Sequence, residues 1–210
     1  MNYSMRITIL ILLSLSEHIA KAQTNKSDSN IIFSDDFNDN KNNWTVTYDK
    51  HASGRIDSGF YYLTATGIAY GVTQEIKINP QKDFKIETRI KILKGEADHK
   101  NYYSMIFWGR EAMNSLYFTF AKDGFASVEM CDGKHKSGCI IKSGSLQKVI
   151  PTADEFNIYT IRKIGNMYSF FINGTQFYQM PFTPFFGNLI GIGAGRKVTL
   201  VIDYLKVSYL

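Results

Sequence analysis

The chain has no hydrophobic run long enough to cross a bilayer, no convincing helical periodicity over ten residues, and only two cysteines among its 210 residues. Each shortage excludes something. The most apolar segment, Ile7 to about Leu15, is too short to traverse about 30 Å of hydrocarbon as a helix, so a transmembrane segment is not expected. Without helices, bundles and alternating α/β architectures fall away. Cys131 and Cys139 are too far apart for a Cys-x-x-Cys redox pair, and too few for a closed zinc site. Charge of one sign is also scarce. The net charge is only +5 and is spread along the chain. The densest basic cluster, Lys134-His135-Lys136, reads as a loop tip. Nucleic-acid recognition wants basic residues gathered on one face, so no nucleic-acid partner is expected.

The N-terminus carries a short basic start with Arg6, the apolar run, and then Ala20-Lys21-Ala22 ahead of Gln23. Small residues at the third-last and last positions after an apolar core describe an export signal, cleaved after Ala22. Residues 1–22 are therefore read as a signal peptide, and the protein as secreted, periplasmic or cell-surface. No cysteine follows the apolar run, so lipid attachment is not suggested. Loss of the segment removes Arg6, Lys21 and Glu17 and lowers the net charge by one. Residues 23–30, "QTNKSDSN", are polar with nothing to bury and read as a flexible linker.

From residue 31 onward the pattern is almost wholly of period two. In "FKIETRIKI", Phe84, Ile86, Thr88, Ile90 and Ile92 alternate with Lys85, Glu87, Arg89 and Lys91, the mark of a strand with one wet face. Similar segments are legible at 60–65, 70–78, 102–110, 115–121, 125–130, 156–164, 167–172, 175–180, 189–195 and 198–209, after an opening strand at Phe33–Phe37. Gly165-Asn166 and Asn173-Gly174 are two-residue junctions that tolerate the positive φ of tight hairpins. Strands at roughly ten-residue spacing, without helices or a repeat, predict an all-β, two-sheet antiparallel β-sandwich or barrel over residues 31–210.

Several motifs sharpen that class. "FSDDFNDNKNNW" (33–44) resembles the first strand of concanavalin A-like lectin/glucanase jelly rolls, where Asp-Asp-Phe leads through a polar loop to Trp. "DSGFYYLTA" (57–65) looks like their second-strand signature. "NIYTIRKIGNMYSFFINGTQF" (157–177) is similar to the late hairpins of the laminin-G-like and 3-keto-disaccharide-hydrolase-like branches, and "GIGAGRKVTLVIDYLKV" (191–207) to their closing pair. The resemblance implies two antiparallel sheets, one concave, with the first and last strands as neighbours. It also implies a structural Ca2+ near those strands, with the carboxylate of Asp203 and the carbonyls of Asp36 and Gly59 as ligands. Calcium takes six to eight hard oxygens, and carbonyls serve as well as carboxylates.

Catalytic signatures are missing. The glucanase branch carries Glu-x-Asp-x-x-Glu on one strand, which aligns its carboxylates for glycoside hydrolysis; no glutamate of this chain begins that motif. Glu129 and Asp132, three apart, fall on opposite strand faces. No Gly-x-Ser-x-Gly elbow is present, and His51, His99 and His135 all lie in polar, loop-like stretches. No catalytic residue is assigned.

For binding, the richest segment is "NYYSMIFWGREAMNSLYFTF" (101–120). Alternation puts Trp108 and Arg110 on one face, and Tyr117 of the next strand extends that surface. Aromatic planes suit the apolar faces of sugars, and Arg suits their hydroxyls. Trp108, Arg110 and Tyr117 are the candidate ligand-binding residues, although Trp108 also has the character of a core residue. Cys131 and Cys139 frame a short loop that could bring two strands within disulfide distance, so a hairpin clamp is expected, with free thiols the alternative. The expectation is an exported, non-catalytic module that binds a glycan or cell-surface polysaccharide. A hydrolase or lyase acting on a modified sugar, and a protein-binding or structural sandwich, are the rivals.

Overall fold

In the computed structural model, which describes residues 30–95, 103–112, 114–132, 139–145 and 155–210, the period-two segments pair as two antiparallel sheets. The larger sheet takes β1 (Ile31–Asp35), β2 (Thr47–Tyr48), β3 (Ala52–Asp57), β4 (Phe60–Ala65), β6 (Phe84–Lys94), β11 (Asn157–Ile164), β12 (Met167–Ile172), β13 (Thr175–Pro181) and β15 (Val198–Tyr209). Its order is β13-β12-β11-β6-β15-β4-β3-β2, with β1 also paired to β15. The smaller sheet takes β5 (Tyr70–Glu75), β7 (Tyr103–Glu111), β8 (Asn114–Ala121), β9 (Phe125–Cys131), β10 (Cys139–Ser145) and β14 (Leu189–Ala194), in the order β10-β9-β8-β7-β14-β5. This is the expected all-β, two-sheet sandwich, with first and last strands adjacent.

The alternation read in β6 is the alternation found. Phe84, Ile86, Thr88, Ile90 and Ile92 are buried, while Lys85, Glu87, Arg89 and Lys91 are only partly covered. On that wetter face Glu87 accepts hydrogen bonds from Lys85 (3.1 Å), Thr160 (3.3 Å) and Tyr204 (3.3 Å). Between the sheets, Trp108, Phe118, Tyr159, Tyr168 and Phe170 form an aromatic core with ring centroids about 6 Å apart. At one hairpin, Asn173 and Gly174 adopt φ of 49° and 79°, the pair of left-handed residues that a two-residue turn between twisted strands requires.

Strands β2, β3 and β10 escape the sequence reading. β3 reads "ASGRID" and turns Ala52 and Gly54 inward instead of large hydrophobes. The Tyr61 hydroxyl occupies the space a side chain at position 54 would need. β10, "CIIKSGS", is half polar and lacks the alternation that marks the others.

The opening strand ends two residues earlier than expected, because Phe37 takes φ 55°. Beyond it lies an internally bonded loop organised by Asp35, which is 1% exposed. The Asp35 carboxylate accepts from the Phe37 amide (2.8 Å), Asn42 Nδ2 (2.7 Å) and Trp44 Nε1 (2.7 Å). Asn40 brackets Trp44 from outside, accepting its amide proton (2.8 Å) and donating to its carbonyl (3.1 Å). Trp44 is thereby set into the core against Phe37 and Tyr61, with centroids at 5.5 and 5.7 Å. Bonds to a buried charge are worth about 1.5–3 kcal/mol each before the cost of desolvating it. Asp35→Ala leaves two buried donors, the Phe37 amide and Trp44 Nε1, without their acceptor, while Asn42 Nδ2 keeps the Ser34 carbonyl at 3.4 Å. It is expected to destabilise the protein by about 3 kcal/mol in urea unfolding. A change below about 1 kcal/mol would show that the loop does not depend on this carboxylate.

Candidate functional site

The outer face of the smaller sheet holds a cavity of about 770 Å³, lined chiefly from β7, β8 and β9. Its shape follows from one irregularity. Along β7, Ser104, Ile106 and Trp108 turn inward while Tyr103, Met105 and Phe107 line the cavity. Gly109 then takes φ 60°, and the register slips: Trp108 faces Leu116, but Glu111 faces Asn114. Two residues of β7, Gly109 and Arg110, therefore stand opposite Ser115 alone. On the other side, Gly191 pairs with Phe107 and Leu189 with Arg110, so both neighbours accommodate the same bulge. An extra residue with a left-handed glycine is the usual way for a strand to re-aim its side chains.

The bulge corrects the reading of Trp108. Alternation carried straight through it would place Trp108 and Arg110 together, and the structure separates them. Trp108 is fully buried, its Nε1 donating to the Tyr168 hydroxyl at 3.3 Å, while Arg110 lines the cavity with Phe107, Met105 and Tyr117. The glycine inside "FWGR" is the signal in the sequence, since an interior strand glycine marks a bulge or a close approach.

Cross-strand registers arrange the lining as rungs. Phe107, Tyr117 and Glu129 form one; Met105, Thr119 and Ser127 form the next. Tyr103 and Phe125 close one end, Arg110 and Cys131 the other. From Tyr103 to Arg110 the strand runs roughly 20 Å. Beside β7 the floor is cut low by Gly191 and Gly193. A side chain on Gly191 would collide with the Val72 carbonyl and the Phe107 ring, and one on Gly193 with Met105. Phe107 and Met105 thus lean over β14, leaving a trough.

The Arg110 guanidinium lies 5.0 Å from the Phe107 ring centroid, and its Nε donates to the Ala112 carbonyl at 3.0 Å. Glu129 accepts from the Ser127 hydroxyl at 2.7 Å. Burial pushes the Tyr117 hydroxyl above the ordinary tyrosine range, with Arg110 opposing the shift, so Tyr117 presents a neutral donor. The trough offers aromatic surface, hydroxyls, one cation and, among its described lining residues, one carboxylate.

The remaining expected site residues lie elsewhere. Cys131 lines the trough and takes part in no disulfide. Cys139 stands opposite Met130, so the two cysteines are one position out of register and the expected clamp is not formed. Asp203 carries an ion pair to Arg89 at 2.6 Å, and the Asp36 carboxylate accepts from Asn38 Nδ2 at 2.9 Å. Gly59, with φ 76°, belongs to the turn between β3 and β4. Among the described residues no three His, Cys, Asp or Glu side chains gather as a metal-binding group. Of the expected calcium ligands, Asp203, the one side-chain carboxylate, is already held by a guanidinium. His51 sits in the β2–β3 turn. Tyr102, Asp98-His99 and the 134–136 cluster lie outside the described residues.

No protein-family model matches the chain, and no curated protein sequence does. Solved structures do match. The chain is similar to the Bacillus licheniformis β-glucanase, at TM-score 0.62 and 11% identity, over 84% of this chain and 97% of that one. It is also similar to the CBM2 module of the evolved Dit of Lactobacillus casei BL23 phage J-1, at TM-score 0.60 and 13% identity, over 86% of this chain and 95% of that one. A third match is the Emp46p carbohydrate recognition domain in its metal-free form, at TM-score 0.62 and 13% identity, over 83% of this chain and 91% of that one. The fold is that of the concanavalin A-like jelly rolls, and at these identities the likeness concerns the fold alone.

Because the trough is built on the Gly109 bulge, Gly109→Ala is the sharpest local probe. An added Cβ would stand 2.7 Å from the Phe185 ring and would force a side chain into left-handed backbone. The expected cost is about 2–4 kcal/mol in denaturant unfolding. A neutral substitution would contradict the bulge.

Proposed function

We propose that the protein is an exported glycan-binding module whose ligand lies along the trough between Tyr103 and Arg110. The observation that carries this reading is the pairing of aromatic and hydrogen-bonding side chains on adjacent rungs of one open face. A cavity of that size is typical of ligand sites, which combine apolar walls with a few convergent polar groups. Tyr117 and Tyr103 offer ring faces to the C–H surface of a sugar, while Thr119, Ser127 and Glu129 offer hydroxyl and carboxylate partners to its alcohols. The carbohydrate-related names borne by the β-glucanase and by the Emp46p domain are consistent with a sugar as the occupant. Export through residues 1–22 would place such a module where polysaccharides are met.

Binding is favoured over hydrolysis by the lining itself. Glycoside hydrolysis by the common routes needs two carboxyl groups flanking the scissile bond, and Glu129 is the one carboxylate among the described lining residues. Calcium has no part in the reading, since Arg89 already neutralises Asp203.

The test is a glycan array probed with the exported protein, with Gln23 expected at its N-terminus, in calcium and in chelator. Wild-type protein is expected to bind a defined set of glycans equally in both, without releasing reducing ends. Tyr117→Ala is expected to weaken that binding at least about tenfold while remaining folded. A blank array would remove the proposal; hydrolysis of a bound glycan would replace it with the enzymatic rival, and calcium-dependent binding would restore the metal.

A further inference from the structure

Arg110 gives the trough a polarity that a site for neutral sugars does not require. It is the one cation among the described lining residues. Its Nε is engaged by the Ala112 carbonyl and its plane rests near the Phe107 ring, so the guanidinium is held from two sides. Its terminal nitrogens meet no carboxylate within ion-pair distance among the described residues. Arg55 and Arg89, by contrast, are each paired with an aspartate, Asp57 and Asp203, and Arg162, which also rests near a ring, Phe171, is exposed on the larger sheet. Glu129 lies near enough that both it and Arg110 act electrostatically on Tyr117, yet it bonds Ser127 instead. Tyr117 stands between them, in register with Glu129. The trough therefore keeps a positive end and a negative edge that do not neutralise each other.

From this separation we infer that the trough takes an acidic glycan, with a carboxylate or sulfate group of the sugar held by the open fork of Arg110. The inference rests on the glycan-binding reading and adds the ligand's charge and direction. A guanidinium fixed along one edge presents paired N–H donors, which match two oxygens of a planar carboxylate or of a sulfate ester. Glu129 shares a rung with Phe107 but lies two strands across from it, on β9; it repels an anion there and accepts a hydroxyl, so the acidic group goes to the β7 side of the groove, at Arg110. The Phe107 ring beside the guanidinium excludes water from one side of the contact, which strengthens it relative to an exposed pair.

Isothermal titration with three sets of oligosaccharides tests this: oligogalacturonates carrying carboxylates only, carrageenan oligosaccharides carrying sulfates only, and neutral laminarin oligosaccharides. Wild-type protein is expected to bind one of the acidic sets at least about tenfold more tightly than the neutral set, with affinity falling as salt rises. Whichever acidic set wins identifies the group as carboxylate or sulfate. Arg110→Gln is expected to reduce that affinity to the neutral level. Arg110→Lys, which keeps the charge and loses the fork, is expected to lose about tenfold or more. Thermal melting of both variants establishes that they remain folded. Neutral binding equal to both acidic sets, or acidic binding indifferent to Arg110→Gln, overturns the inference and leaves the glycan reading standing. Failure of all three sets to bind overturns the inference, and the wider array then decides the glycan reading separately.

Discussion

The trough face depends on the backbone at Gly109. Its φ of 60° admits an extra residue into β7 and reverses the side-chain order beyond it. Trp108 stays with the core while Arg110 turns out to the trough. Space and conformation both demand glycine, because the Phe185 ring fills the place of a Cβ. The same residue fastens the chain that leads into β14. The Gly109 carbonyl accepts from the amides of Phe186 and Gly187, both at 2.9 Å. That double acceptance brings the glycine-rich strand alongside β7, where Gly191 and Gly193 leave room for Phe107 and Met105 to lie across it. One left-handed residue thus fixes the polar end, the floor and the neighbouring strand.

The two outer faces of the sandwich use polar groups differently. On the larger sheet charges are engaged locally: Glu87 gathers Lys85, Thr160 and Tyr204, and Asp203 takes Arg89. These two carboxylates are satisfied by neighbours on their own sheet. On the smaller sheet Arg110 and Glu129 remain apart, and aromatic rings lie between and beside them. Leaving a cation without its counter-charge in a partly covered groove costs stability, and that cost is consistent with a partner arriving from outside.

Much of this is legible in the chain because a sandwich writes its strands as alternation. β6 shows it most plainly, and Asn173-Gly174 marks its hairpin by chemistry alone. Alternation groups Arg110 with Trp108 and lets Tyr117 extend their surface; Arg110 and Tyr117 do line the trough, but Arg110 reaches it only through the bulge at Gly109. Trp108 defeats period-two counting because counting cannot see a bulge, although the glycine beside it is there to read. β3 and β10 are hard to see because small or polar residues replace the alternating hydrophobes found elsewhere. Loop length suggests the cysteine clamp, but pairing is set by register, and the register opposes Cys139 to Met130. In "FSDDFNDNKNNW" the acidic density suggests metal or catalysis. Instead, burial of the Trp44 indole engages Asp35, a role visible only once the chain is folded.

The most direct measurement is a map of backbone amide chemical shifts on adding a bound oligosaccharide. Changes are expected to gather on β7, β8 and β9, strongest at Arg110, Tyr117 and Ser127, while the Glu87 and Asp203 networks on the opposite sheet stay still. Changes confined to that opposite sheet or to the β2 edge, with the trough unmoved, would contradict a ligand site on the Gly109 bulge.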